Sequence, residues 1–146
     1  MPKQLLIYTA LSLSLLACSG SNPISKQGAM APCPKSPNCV SSREDGEAKI
    51  KAFKLTDNAI VAWPEITHSV NAMSRTKIVE QSPSYLHAEA TSLIFRFVDD
   101  LELELLSDGK TVDIRSASRV GYSDMGVNRE RVESLRKALK ENNIIE

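Results

Sequence analysis

Residues 85–118 read YLHAEATSLIFRFVDDLELELLSDGKTVDIRSAS, and the alternation of apolar and polar side chains along them decides the fold. Successive side chains of a strand point to opposite faces, so a period of two marks a strand with two unlike sides. Tyr85 to Ser92 alternates, with Leu86, Ala88 and Ala90 on one side and His87, Glu89 and Thr91 on the other. Leu93 to Val98 continues this strand or bends. Leu101, Leu103 and Leu105 alternate with Glu102 and Glu104, which marks a half-buried strand. Ser107-Asp108-Gly109-Lys110 then turns the chain into Thr111 to Ser118, where Val112 and Ile114 point one way and Asp113 and Arg115 the other. A second sheet face open to water accounts for the polarity of His87, Glu89, Glu102 and Glu104.

Upstream of this stretch, Ser82-Pro83-Ser84 makes a turn and Thr76 to Gln81, β-branched in its middle, reads as another strand. Trp63, Ile66, Val70 and Met73 fall at i, i+3, i+7 and i+10, an apolar stripe of helical period. Proline is tolerated in a first helical turn, so Pro64 places the start of this helix close to Trp63. Ile50 to Leu55 alternates in part, as an edge strand would, and the charged stretch SSREDGEAKIK that leads into it reads as irregular. Downstream, Asn128 is positioned to cap a final helix whose buried stripe is Val132, Leu135 and Leu139. The order β-α-β-β-β-β-α predicts an α+β fold: an antiparallel four- to five-stranded sheet with two helices packed on one face.

The beginning of the chain carries an address. One positive charge, Lys3, precedes the uncharged run LLIYTALSLSLLA from Leu5 to Ala17, which is shorter than the roughly 20 residues a spanning helix needs. The run ends Leu15-Leu16-Ala17-Cys18, a small residue before a cysteine, which is the lipobox pattern of exported lipoproteins. Residues 1–17 are thus expected to be a signal peptide of lipoprotein type, cut before an acylated Cys18. A soluble secreted protein or an uncleaved anchor is the alternative. Ser19, rather than Asp, after the lipidated residue favours the outer membrane facing the periplasm. Residues 18–32, rich in Ser, Gly and Pro, read as a flexible tether, and 33–146 as a single globular domain.

Lys plus Arg and Asp plus Glu both total 18, and losing Lys3 with the leader leaves the mature chain one charge negative. Such a balance offers no electrostatic case for nucleic acid, and 5% aromatic content makes no stacking platform for bases or sugars. Cys33 and Cys39 lie in Cys-Pro-Lys-Ser-Pro-Asn-Cys, a turn-rich loop in an oxidising compartment. A disulfide is the favoured reading there, ahead of a metal clip or two free thiols; His68 and His87 have no ligand spacing, and no metal or other cofactor is expected.

Residues 115–131 concentrate hydrogen-bond donors. Arg115 and Arg119 share a parity, Ser116, Ser118 and Tyr122 offer hydroxyls, and the segment runs into a helix N-terminus near Asn128 and Arg129. Arginine forks beside free N–H groups suit a carboxylate or phosphate, so these seven residues form a candidate site for an anionic small molecule, lipid or glycan. A plainer reading stands ahead of it: Arg115, Arg119 and Arg129 pair with the acidic run Asp99, Asp100, Glu102, Glu104, Asp108 and Asp113 across the hairpin, and Asp124 orients the turn.

Three blocks, CPKSPNCVSS (33–42), SYLHAEATSLIFRFVDDLELEL (84–105) and VDIRSASRVGYSDMGVNRERVESLR (112–136), resemble the bacterial and plastid family of domains of unknown function 1499. The resemblance runs from Cys33 to about Leu139 and implies no reaction. Catalytic motifs are incomplete on the residues themselves. Gly121-Tyr122-Ser123-Asp124-Met125 has methionine where a nucleophile elbow needs glycine, and Val127-Asn128 stand where a phosphate loop needs Lys and Ser or Thr. The expectation is therefore a monomeric, membrane-anchored binding or interaction module. A small envelope hydrolase or transferase built on His87, Glu89 and Arg115 is the alternative, and an assembly component would expose an apolar patch near Ile94, Phe95 and Phe97.

Overall fold

The computed structural model describes residues 28–146; the expected leader, Cys18 and the expected tether up to residue 27 lie outside the described residues. In chain order the elements are β1 (Cys39–Ser41), β2 (Phe53–Lys54), α1 (Ala59–Asn71), β3 (Thr76–Gln81), β4 (Tyr85–Thr91), β5 (Val98–Leu105), β6 (Thr111–Ser118) and α2 (Val127–Glu141), with a short 3-10 turn at Gly46–Ala48. The sheet is antiparallel, in the order β1-β6-β5-β4-β3, and β2 pairs β6 beside β1. The α+β arrangement is the expected one, with six strands rather than four or five. Ile50 to Leu55 contracts to the two residues of β2, and the added strand, β1, is too short to show a period.

The centre of the sheet is the β4-β5-β6 meander, and its register fixes both faces. Leu86 lies opposite Leu103, and Leu103 opposite Ile114, on the face that receives the helices. Ile66 and Val70 of α1 and Val132, Leu135 and Leu139 of α2 complete one apolar cluster with them. Full burial of each such side chain is worth about 1.5–3 kcal/mol, which is what binds helices to sheet.

Helix α1 starts at Ala59, one turn before the expected position near Trp63. Asn58 caps it, its side-chain oxygen accepting the Val61 N–H at 3.2 Å. Pro64 sits inside the helix and removes the N–H that would bond Ile60. Both residues are exposed, so water can take the place of that bond. The Asn58 cap outweighs the proline.

Helix α2 also begins differently. Gly126, at φ 86°, is the residue before the helix, and the Asp124 carboxylate accepts the N–H groups of Gly126 and Asn128 at 3.0 and 2.9 Å. Asn128 was expected as the cap but lies in the first turn, buried, with its side chain turned onto β6. An acid three residues before the helix reaches the same orphan amides, which leaves the asparagine for the sheet.

The Asp108 carboxylate closes the β5–β6 turn, bonded to the Thr111 hydroxyl and to the N–H groups of Lys110 and Thr111. Those bonds, the Thr111 hydroxyl first, hold its pKa at about 2. A depressed carboxyl stabilises the fold above its unfolded value near 3.9, and this contribution fades as pH falls through the folded value. The urea midpoint of the parent should exceed that of Asp108→Asn by a constant margin above pH 5, narrowing steadily towards pH 2. A margin independent of pH contradicts this role.

Candidate functional site

The second face of the sheet was expected to meet water. Instead His87, Asp100, Glu102 and Arg115 are buried on it. Glu102 and Arg115 are both 0% exposed although they stand in the two central strands. The face closes because its charges are matched pair by pair, and a desolvated charge persists only when matched.

The matching follows the register. His87, Glu102, Arg115 and Ser41 lie side by side across β4, β5, β6 and β1. Arg115 Nη1 donates to Glu102 Oε2 at 2.5 Å, and the Tyr85 hydroxyl donates to the other oxygen, Oε1, at 2.7 Å. Next to this cluster, His87 Nε2 is 2.7 Å from Asp100 Oδ1. Arg119 clamps Asp100 through Nε and Nη2 and reaches Glu89 at 2.6 Å. At the far edge Arg43 bonds Asp113 at 2.7 Å and Glu104 at 3.0 Å. Met30 is buried over β1, its sulfur 3.9 Å from the Ser41 hydroxyl.

One residue in this face is incompletely matched. Among the described residues, the Arg115 Nε and Nη2 atoms are buried and find no hydrogen-bond partner. These two nitrogens form the side edge of the guanidinium, the edge that takes a two-oxygen acceptor in parallel bonds.

Burial opposes charge on the His87 imidazole, but the bond to Asp100 and the charges of Asp100 and Glu102 outweigh it, against a smaller repulsion from Arg119. The His87 pKa is therefore raised. Burial likewise opposes charge on Asp100, yet bonds from His87 and Arg119 hold its carboxyl below the usual carboxylate range. The Arg119 pKa is raised above its ordinary value, first by its hydrogen bond to Asp100.

The seven residues singled out in 115–131 divide between the two sides of the sheet. Arg115 and Arg119 lie on the buried polar face. Ser116, Ser118 and Asn128 meet on the helix side, where Asn128 accepts from Ser116 at 2.7 Å and donates to Ser118 at 2.9 Å and to the Asn38 carbonyl at 3.1 Å. Arg131 completes that cluster, bonded to Ser116, Asn128 and Asp99. Arg129 donates to the carbonyls of Glu47 and Lys49, not to a carboxylate, and Tyr122 is exposed. The α2 amides at Gly126 and Asn128 are taken by Asp124. An open hollow of about 280 Å³ between the cysteine loop and this turn is lined by Lys35, Ser123 and Arg129, among others, but not by Arg115 or Arg119.

Cys33 and Cys39 form a disulfide with Cα atoms 5.7 Å apart. Their loop is pinned beside the β6–α2 turn by Asn38, whose side-chain amide donates to the Gly121 carbonyl at 2.5 Å. A model of the family described as "Protein of unknown function (DUF1499)" matches residues 29–139. The chain belongs to that family. No curated protein and no solved structure matches it. The match spans the cysteine loop, the whole sheet and most of α2, so the buried polar face lies within the DUF1499 domain.

Tyr85, Arg43 and Arg131 belong to these clusters and were not singled out from the sequence, whereas Asp100 was expected there as a partner of the arginines. Parity was the available signal for Tyr85, which shares the side of His87. Nothing comparable marked Arg43, in a segment without period, or Arg131, one helical turn beyond Asn128. Among the described residues no group of three or more His, Cys, Asp or Glu is placed to hold a metal, and no helix is long and apolar enough to cross a membrane.

A raised imidazole pKa stabilises the fold fully below the unfolded value near 6.5, and the gain is lost as pH rises through the folded value. The His87 titration midpoint, followed by imidazole proton NMR, should lie above 6.5 in the parent and fall in Asp100→Asn. An unchanged midpoint would show that Asp100 does not set the charge of His87.

Proposed function

We propose that this DUF1499 protein is an exported lipoprotein, acylated at Cys18 and held in the cell envelope, whose domain binds an anionic group through Arg115. The observation that carries the binding role is the unmatched Nε–Nη2 edge of a guanidinium with no exposed surface. A buried donor without a partner costs about 1–3 kcal/mol. A carboxylate or phosphate oxygen pair at that edge removes the cost at two donors together. The ligand reaches the edge when the segment at Met30 lifts from Ser41, which neighbours Arg115 in the register. Ser116, Ser118 and Asn128 serve a different purpose, docking α2 onto β6 through bonds that satisfy one another.

The lipobox Leu15-Leu16-Ala17-Cys18 supports the anchor. Each buried methylene of an acyl chain contributes about 0.8 kcal/mol, and two or more chains hold stably. A hydrolase or transferase on the same face is less well supported. His87 is bonded to Asp100 and favours its charged form, while Glu89 is held by Arg119, so neither stands ready as a base beside a nucleophile.

Thermal unfolding of the full chain tests the binding role, with phosphate or acetate compared against chloride at equal ionic strength. The parent should gain several degrees in phosphate or acetate. Arg115→Lys, which keeps the charge beside Glu102 but loses the side edge, should gain none. Equal shifts in both proteins overturn the site. Intact-mass measurement on the envelope-purified chain tests the anchor: the expected mass begins at Cys18 and includes acyl chains, and an unprocessed start or a bare thiol contradicts it.

A further inference from the structure

We infer that the end of the sheet formed by the β4–β5 and β6–α2 loops rests in the surface of the bilayer to which Cys18 tethers the domain. This inference relies on the anchor proposed above and goes beyond it, because it gives the domain a lipid-contacting side of its own. Ile94 is 78% exposed, Phe95 73% and Met125 97%, and Phe97 and Tyr122 are also exposed. The two loops leave the sheet together: Ser118 pairs with Asp99, and the Arg119 N–H donates to the Val98 carbonyl at 3.3 Å. Leu93 of the first loop and Val127 beyond the second line one hollow. Large apolar side chains gathered at one tip are not left to water without a use.

The backbone holds this arrangement against its own preferences. Among the described residues, four that are not glycine have positive φ, and three of them are at this end: Arg75 at 54°, Arg96 at 58° and Met125 at 55°. Such conformations cluster where the surrounding structure imposes them for a purpose. Here they carry an exposed methionine and two arginines.

Charge and reach select lipid as the occupant. Asp99, Asp100 and Asp124 at this end are already engaged, by Arg131, Arg119 and the α2 amides, while Glu130 of the same hollow is exposed. Arg75 bonds only the neutral Thr91 carbonyl and Ser74 hydroxyl, and both it and Arg96 are exposed, which outweighs Glu130, so the balance left to face a surface is cationic, as anionic headgroups require. Aromatic rings flanked by cations are the side chains that settle at a headgroup boundary. From Cys18 to Met30 the chain can extend about 40 Å. Met30 lies at the level of Arg115, only about 10 Å of strand from the end of β6. The anchor and the tip can therefore meet the same membrane.

The test uses the full acylated chain in vesicles of phosphatidylethanolamine and phosphatidylglycerol with bromine on the acyl chains. Phe95→Trp places a reporter at the tip and Glu141→Trp places one at the opposite end of α2; Trp63 is buried and adds the same background to both. Bromine should quench the tip reporter at least threefold more strongly than the distal one. Equal quenching overturns the inference. So does a tip reporter that bromine leaves untouched but a soluble envelope protein shields from iodide, since the occupant is then a protein. The same samples are weighed intact: an unacylated Cys18 sinks the anchor, whereas equal quenching in an acylated chain sinks the tip contact alone.

Discussion

A fully desolvated ion pair between Glu102 and Arg115 occupies the middle of the sheet, and the polar half of the molecule is arranged around it. Neither charge would persist there alone, since moving an unpaired ion out of water costs several kcal/mol. The antiparallel register sets the two residues directly opposite each other, and Tyr85 takes the second carboxylate oxygen. Glu102 is thereby satisfied on both oxygens. Arg115 spends one of its nitrogens on the pair and, among the described residues, keeps an edge unmatched. That asymmetry separates a purely structural pair from one with capacity left for a ligand.

The rest of the face extends the same logic towards solvent. His87, Asp100, Arg119 and Glu89 form a chain of alternating charge beside the central pair, and Arg43 ties Glu104 and Asp113 at the other side. On the opposite face the sheet uses apolar packing, interrupted at one place by Ser116, Ser118, Asn128 and Arg131. Every side chain in that interruption is bonded within it. The sheet thus has one apolar buried face and one ionic face that is buried at its centre and partly exposed at its edges.

Much of this fold was legible in the sequence because strands β4 to β6 alternate cleanly and α2 has an unbroken stripe. The disulfide was legible from two cysteines in a turn-rich loop. Three features escaped for physical reasons. Asn58 and Asp124 hold the starts of helices that were expected to begin near Trp63 and Asn128, and such caps act through one or two hydrogen bonds that no period reveals. Strand β1 is too short to alternate. Most tellingly, His87 and Glu102 read as part of a wetted face, because polarity along one strand cannot show how deeply it is covered. Of the hairpin ion pairs expected for Arg115, Arg119 and Arg129, those of Arg115 and Arg119 are present while Arg129 turns to backbone carbonyls, and whether such pairs are buried depends on neighbours far along the chain, such as Ser41 and Met30.

The most direct test of the central claim is a double-mutant cycle by urea unfolding on Glu102→Leu, Arg115→Met and the pair together. Removing either partner alone strands a buried charge and should cost about 3–5 kcal/mol, and removing both should recover most of that loss. Losses that simply add in the double variant would show that the two charges do not depend on each other, and the account of the polar face would be wrong.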